Sequence, residues 1–479
     1  MLKRYATALL VLFAVLDLTF TFVQNCQLPI DGDLASIVLP SPWYQAVLHD
    51  PLGWAVLRDN AVYAAPNRFF AHAALVGYMR AVPRWRQALA SPIDSIYLAA
   101  ALFNTAVQAA LLALLATYVR LARPGTGPRG WWLTVAALGP LFQTAGFYGQ
   151  MGIVSRSLTY TFFYALPLAL LLLWLLPFYG AMCRRQPLRL PALLVPVWLV
   201  LAVVLALNGP VVPAAALVLG ALVIGQWTWQ VARRPAASGP SRWARPAWWS
   251  GQATGLGLFL AVMCAYSLFI GRNNAENGHA PSLVELYQRL PHGVAEELTS
   301  KLGLPLLTAF VVLNAQLLRR YAPAVEGEWV RQALRWVGGF AVVYILLLPL
   351  GGYRPYRFYL LRNDSILPVL VGLLFAYGLS TRCLLRQLPP RPLRWYRGGL
   401  LLLLVIFMNA DRRMWLRENN ACEREALARL ARSPGPVVQL PADCPVMSWE
   451  RTTDYSQSAT NADLLYYWGV TPDRKRYYQ

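Results

Sequence analysis

Eleven apolar runs, most of them close to the length that crosses a bilayer, limit what this chain can fold into more than any other feature. The first, Tyr5 to Val23, follows Lys3 and Arg4 and as a helix would measure about 28 Å. Ten more follow at Ile96–Val119, Trp131–Tyr148, Leu158–Tyr179, Pro191–Leu207, Val211–Val231, Gly255–Ile270, Leu304–Leu318, Trp336–Leu350, Ile366–Leu379 and Gly399–Met408. A hydrocarbon core needs about 20 such residues, so the shorter runs must extend by a turn at their ends. Composition agrees: 57% of the residues are hydrophobic and 14% charged, against about 25% charged in soluble domains. A disordered chain is excluded, and a water-soluble enzyme of several domains fits poorly.

The net charge of +21 raises the question of nucleic acid, and the placement of the charges answers it. Short segments on one side of the runs hold 21 of the 43 basic residues and two acids, Glu326 and Glu328. They include Arg120 and Arg129, Arg184 and Arg185, Arg319 and Arg320, and Arg382 to Arg397. Every short loop on that side is positive, as the positive-inside rule requires of cytoplasmic loops. The expected fold is therefore an all-α polytopic membrane protein of about 11 transmembrane helices, N-terminus in and C-terminus out, and no nucleic-acid partner is expected. No A-x-A cleavage site follows the first run, which reads as an uncleaved signal anchor. The expected domains are a membrane part, 1–409, and a small outer C-terminal segment, 410–479.

Long polar segments occur only on the outer side, so chemistry is expected there. About 70 residues separate the first two runs, and this loop, 24–94, opens with Asp31-Gly32-Asp33. Two carboxylates around one glycine form a compact acidic centre in which mutual repulsion raises one pKa, as a general base needs. The same oxygens suit a divalent cation, Mg or Mn, and D-G is also plain turn chemistry. Phe69–Met79 is too short to span and reads as an interfacial helix. Arg68 and His72, four apart, would share a helix face toward an anionic head group, or serve as a snorkelling Arg and an interfacial His.

Further along, Arg156 follows a Gly-rich turn. Arg354, Arg357 and Arg362 alternate with aromatics between two outer run ends, a combination that suits a lipid phosphate. The same Arg residues could instead contact bulk head groups, and Arg362 could pair with Asp364. The outer tail holds ten basic and nine acidic residues. Its Cys422 and Cys444 are a candidate disulfide in an oxidising compartment, with Cys26 as a competing partner.

An N-in first helix, an acidic D-x-D-like motif just outside it and a long outer loop with interfacial helices resemble the GT-C glycosyltransferases. These are polytopic enzymes that use polyprenyl-phosphate sugars and include protein mannosyltransferases and aminoarabinose transferases. The likeness rests mainly on residues 1–180. It implies a catalytic base at Asp31 or Asp33 and a donor phosphate held by the outer arginines. It further implies a glycan, lipid or protein acceptor, and a place in the bacterial cytoplasmic membrane with the active face outward. The alternatives are a lipid-linked glycan transporter or flippase, which needs polar groups at the bilayer midplane, a glycan polymerase or ligase, and a non-catalytic scaffold.

Overall fold

The computed structural model describes residues 2–122, 127–142, 151–233, 245–277, 281–300, 302–322, 324–351, 358–417 and 419–479. Helix α1 (Leu2–Asn25) leads into the acidic loop and three short helices, α2 (Leu34–Val38), α3 (Pro42–His49) and α4 (Trp54–Asp59), followed by α5 (Phe69–Arg86). The bundle continues with α6 (Pro92–Leu121), α7 (Gly127–Leu138), α8 (Leu158–Arg184), α9 (Leu194–Ala206), α10 (Val211–Arg233) and α11 (Gly251–Ile270). Then come α12 (Leu283–Thr299), α13 (Gly303–Tyr321), α14 (Ala324–Leu347), α15 (Leu367–Gln387) and α16 (Pro390–Arg417). The C-terminal segment contains α17 (Ala421–Arg432), β1 (Val437–Gln439), α18 (Ala459–Tyr467) and β2 (Arg476–Tyr478), the two strands pairing in parallel.

Among the described residues eight helices are long and apolar enough to cross a membrane: α1, α6, α8, α10, α11, α14, α15 and α16. The pair α12 and α13, bent by 86°, would make nine. Three of the eleven runs behave differently from the expectation, each for a local reason. Helix α7 stops at Leu138 and tightens into a 3₁₀ turn over Gly139–Leu141, because Pro140 has no N–H to continue the ladder. The run at 191–207 becomes α9, only 13 residues long, hemmed in by Pro191 and by Asn208-Gly209-Pro210. The run at 304–318 becomes α13, joined at that sharp angle to α12.

Apolar surface gains nothing by leaving lipid, so helices in a membrane hold together by close packing and interhelical hydrogen bonds. Both occur along α15, the most enclosed of the eight. A Cβ at Gly378 would lie 3.5–3.6 Å from Val119, Leu138 and Thr134, so the missing side chain brings α6 and α7 against α15. Asn314 on α13 donates to Ser380 (2.9 Å) and Thr381 (3.1 Å), and the Tyr396 hydroxyl donates to Asn314 (3.0 Å). The indoles of Trp174 and Trp198 each donate to the other's carbonyl, at 3.0 and 3.1 Å, and tie α8 to α9. Asp17, inside α1, turns inward, its carboxylate against Gly139.

Connectivity fixes the two ends of the bundle. The Asn25 amide donates to Thr105 (3.1 Å), and Asn420, just past α16, donates to the Gln27 carbonyl (2.8 Å). The acidic loop, the start of α6 and the C-terminal segment therefore share one end. Arg120, Arg184, Arg233, Arg319 and Arg386 occupy the last turns of helices that begin near that end. There they also complement the negative pole of each helix dipole. In sealed membrane vesicles, cysteines placed at Trp54 and Asp454 should react together with a membrane-impermeant maleimide. One placed at Arg394 should react only in vesicles of the opposite orientation. Labelling of all three from one side would refute this arrangement.

Candidate functional site

The acidic loop is built against two surfaces. Asp31, 6% exposed, lies over the first turn of α8, where Thr159 donates to it through both its N–H (3.2 Å) and its hydroxyl (2.8 Å). Helix N-termini favour anions for this reason. Burial, with the charge of Asp33, nevertheless pushes the Asp31 pKa up to about 6, while the hydrogen bonds from Thr159 and Ser157 oppose the rise. Asp33 is half-buried and accepts a hydrogen bond from the Trp449 indole N–H (3.0 Å). Gly32 between them has no left-handed backbone to explain it. A Cβ there would meet the Trp449 nitrogen at 2.6 Å and the Ser448 carbonyl carbon at 2.9 Å. The glycine serves close approach of the C-terminal segment.

That segment holds the loop through a buried carboxylate that nothing in the sequence singled out. Glu423, 1% exposed, accepts hydrogen bonds from the Ile30 N–H (2.9 Å), the Tyr97 hydroxyl (2.8 Å) and the Met447 N–H (2.9 Å). Its three donors come from the acidic loop, α6 and the tail. Burial raises its pKa to about 7 against the pull of these hydrogen bonds. The disulfide Cys422–Cys444, with Cα atoms 6.2 Å apart, joins the start of α17 to the strand-flanking stretch that carries Met447 and Trp449. Cys26 remains a free thiol.

Beside the acidic loop lies a cavity of about 510 Å³ whose walls are α10 and α14. Its polar end gathers Arg68, Tyr164, Tyr344, Arg362 and Asp364; Leu217, Val218 and Leu347 line its apolar end. A π-helical turn at Thr161–Ala165 places two of the aromatics; Pro167, which follows it, cannot donate to the carbonyl four residues back. Phe163 lies under the Arg68 guanidinium, 4.8 Å from ring centroid to Cζ, and Tyr164 lines the cavity. Arg362 pairs with Asp364 (3.1 Å). The Nε groups of Arg68 and Arg362 are buried without a hydrogen-bond partner among the described residues, an arrangement that costs free energy until an acceptor arrives.

Tyr44 connects the cavity to the acids. Its hydroxyl donates to Glu276 (3.2 Å), and its ring stands 5.2 Å from that of His72. Burial, Glu276 and Asp33 push the phenol's pKa up while Arg68 pulls it down, so all three charges surround it. Tyr44 thus feels both Asp33 and the Arg68 that lines the cavity.

Several residues singled out in the sequence occupy unexpected places. The stretch at 69–79 belongs to the longer α5, which buries Ala71, His72, Leu75 and Met79 inside the protein. Arg68 flanks the start of α5 and is buried, so it does not snorkel; its carbonyl accepts from the His72 N–H (3.2 Å), and both side chains lie against Phe163. Burial, reinforced by Arg68, lowers the His72 pKa to about 3; the imidazole is neutral, wedged between Tyr44 and Phe163, and brings no charge to an anion. Arg156 lines a separate void of about 20 Å³ with Asp31 and Asn104, away from the larger cavity. Arg354 and Arg357 lie outside the described residues. Tyr44, Thr159, Tyr164, Tyr344, Glu423 and Trp449 carried no signal in the sequence, because each acts through a neighbour distant along the chain.

Among the described residues no group of three or more His, Cys, Asp or Glu side chains could hold a metal ion. Both oxygens of Asp31 accept from Thr159.

Replacing Glu423 by Ala leaves three buried donors unmatched and should cost about 3 kcal/mol or more, read as a lower melting temperature in detergent. Reduction of Cys422–Cys444 should also lower it, since closing so short a loop contributes about 3 kcal/mol. The two buried carboxyls set the larger trend with pH, and neutral His72, its pKa lowered from 6.5 to about 3, opposes it below 6.5. Asp31 and Glu423 have raised pKa values, about 6 and about 7 against ordinary values of 3.8 and 4.5. The native state therefore keeps its protons to higher pH than the unfolded chain, and stability rises as pH falls from about 7 toward 4.5. The protein should melt higher at pH 5 than at pH 8, and Glu423→Gln should shrink the difference. A difference unchanged in that variant would dissociate Glu423 from the effect.

Comparison of the chain with protein families, with curated proteins and with solved structures finds no match in any of the three.

Proposed function

We propose that this chain is an integral membrane glycosyltransferase that moves a sugar from a polyprenyl-phosphate donor to an acceptor, by direct displacement on the outer face of the membrane. The observation that carries this reading is the pair of buried, unspent Nε donors, on the buried Arg68 and the partly exposed Arg362, beside one cavity that leucine and valine side chains also line. A lipid phosphate meets that description: its oxygens accept from the two arginines and its chain leaves along Leu217, Val218 and Leu347. Arg68 and Asp33 both act on Tyr44 by their charge, which supports a donor phosphate and a base serving one site.

In this mechanism the acceptor hydroxyl attacks the anomeric carbon and its proton passes to Asp33, the more exposed of the two carboxylates. The bond from anomeric carbon to phosphate oxygen breaks, and the electron pair leaves with the polyprenyl phosphate. Arg68 and Arg362 stabilise the charge that grows there, and the anomeric centre inverts. Asp31, buried behind Asp33, acts by its charge: once ionised it strengthens Asp33 as a base. Within this reading the eleven-span, N-in topology puts the site on the outer side, and a bacterial cytoplasmic membrane supplies such donors.

A transporter needs polar groups that line a path across the bilayer. Asn314, Ser380, Thr381 and Tyr396 instead bond to one another inside the bundle, so the enzyme reading has the better support.

The test is release of polyprenyl phosphate from polyprenyl-phosphate sugars by the purified protein. Asp33→Asn should lower kcat/KM by about 10²–10⁴, and Asp31→Asn by less. The rate should rise with pH through about 6, where Asp31 ionises, and Asp31→Asn should remove that limb. Arg68→Gln with Arg362→Gln should raise KM and lower kcat together, and EDTA should leave the rate within about twofold. Full transfer by an Asp31→Ala, Asp33→Ala variant would end the proposal.

A further inference from the structure

The other end of α15 carries a second cavity, of about 640 Å³, between α7, α15 and α16. Its floor is Arg382, 3% exposed, which donates to the Gly130 carbonyl (2.8 Å) and the Thr134 hydroxyl (3.3 Å). These two contacts aim a buried cation into the space between the helices. Arg129, Arg386 and Arg397 stand exposed around the rim, and among the described residues no acidic one lines the cavity. The acids at this end are engaged on α14: Glu326 accepts from Gln387, and Glu328 pairs with Arg331 and Arg335.

The three exposed guanidinium groups, Arg129, Arg386 and Arg397, face one space and suit an anion among them. The shape of the anion follows from α16. Arg397, Leu401 and Leu404 are spaced four and three apart, so they form one stripe along that helix. The stripe begins at a guanidinium and continues over leucines, Leu401 being 64% exposed. Trp395, at the same level as Arg397 and 85% exposed, is the kind of side chain that marks a head-group layer. A small free anion would leave the leucines bare. A zwitterionic lipid would bring a cation into a cationic ring.

We propose that this cavity binds an anionic phospholipid, with its phosphate among Arg129, Arg382, Arg386 and Arg397 and an acyl chain along Leu401 and Leu404. Basic pockets between membrane helices suit such head groups. The site is separate from the cavity at Arg68 and Arg362 and holds whether or not the transferase reading does.

The experiment uses the full-length protein in detergent, with phosphatidylglycerol, phosphatidylcholine or inorganic phosphate added. Adducts are counted by native mass spectrometry and melting temperature is followed in parallel. Phosphatidylglycerol should give a retained one-to-one adduct and a higher melting temperature, and the other two should give neither. The variant Arg386→Gln, Arg397→Gln alters exposed side chains and should melt like the parent without lipid. It should bind phosphatidylglycerol about 30-fold more weakly, that is by about 2 kcal/mol. Should it fail to fold, Arg129→Gln alone decides on the same readout, with a smaller loss expected. Equal binding of the two lipids, stabilisation by inorganic phosphate alone, or undiminished binding in the variant that folds would each overturn the proposal.

Discussion

The Glu423 carboxylate organises the outer part of this protein. Burying it without partners would cost several kcal/mol. Its three donors, from Ile30, Tyr97 and Met447, are what permit the burial, and they join the acidic loop and α6 to a tail more than 300 residues further along. The acidic loop depends on this contact, because the segment 448–449 that presses on Gly32 and donates to Asp33 follows directly from Met447. Asp31 lies close enough to raise the Glu423 pKa further, so the anchor and the candidate site share one electrostatic environment. A change at the C-terminal segment therefore acts on Asp31 and Asp33 without touching them.

The same logic of unmet groups separates the two ends of the bundle. Near the acidic loop, Arg68 and Arg362 combine buried donors with aromatic faces and an apolar wall. At the opposite end, Arg382 is held by Gly130 and Thr134, and three exposed arginines stand around it. α15 runs between them, starting at Leu367 just after Asp364 and Ser365 and ending at Gln387 just after Arg386. Its Gly378 contact and the Asn314 network keep it rigid, so the two cavities are held at a fixed separation of about 20–30 Å along the helix.

Part of the site was legible in the sequence. Asp31 and Asp33 stood out because two acids beside one glycine follow an apolar run, and Arg362 because it sits among aromatics between run ends. Reading Gly32 as turn chemistry missed its role, since the atom that excludes a Cβ belongs to Trp449, over 400 residues away. The helix-face argument for Arg68 and His72 put them one turn apart, as they are, but on a helix lying on the membrane. Instead α5 starts at Phe69 and packs inward, which makes the histidine neutral. Glu423 looked like one of nine acids in a nearly neutral tail, because a carboxylate's burial is not written in its neighbours.

The sequence by itself determined that this is a helical membrane protein, since runs of apolar residues decide where the backbone can satisfy its hydrogen bonds internally in lipid. It also determined which helix ends collect arginine, a one-dimensional property of the chain. Only the tertiary structure decided which helices are cut short, which arginines carry unspent donors, and which carboxylate is buried. Those outcomes depend on contacts between distant segments, and no local pattern of residues encodes the atom that a side chain will meet.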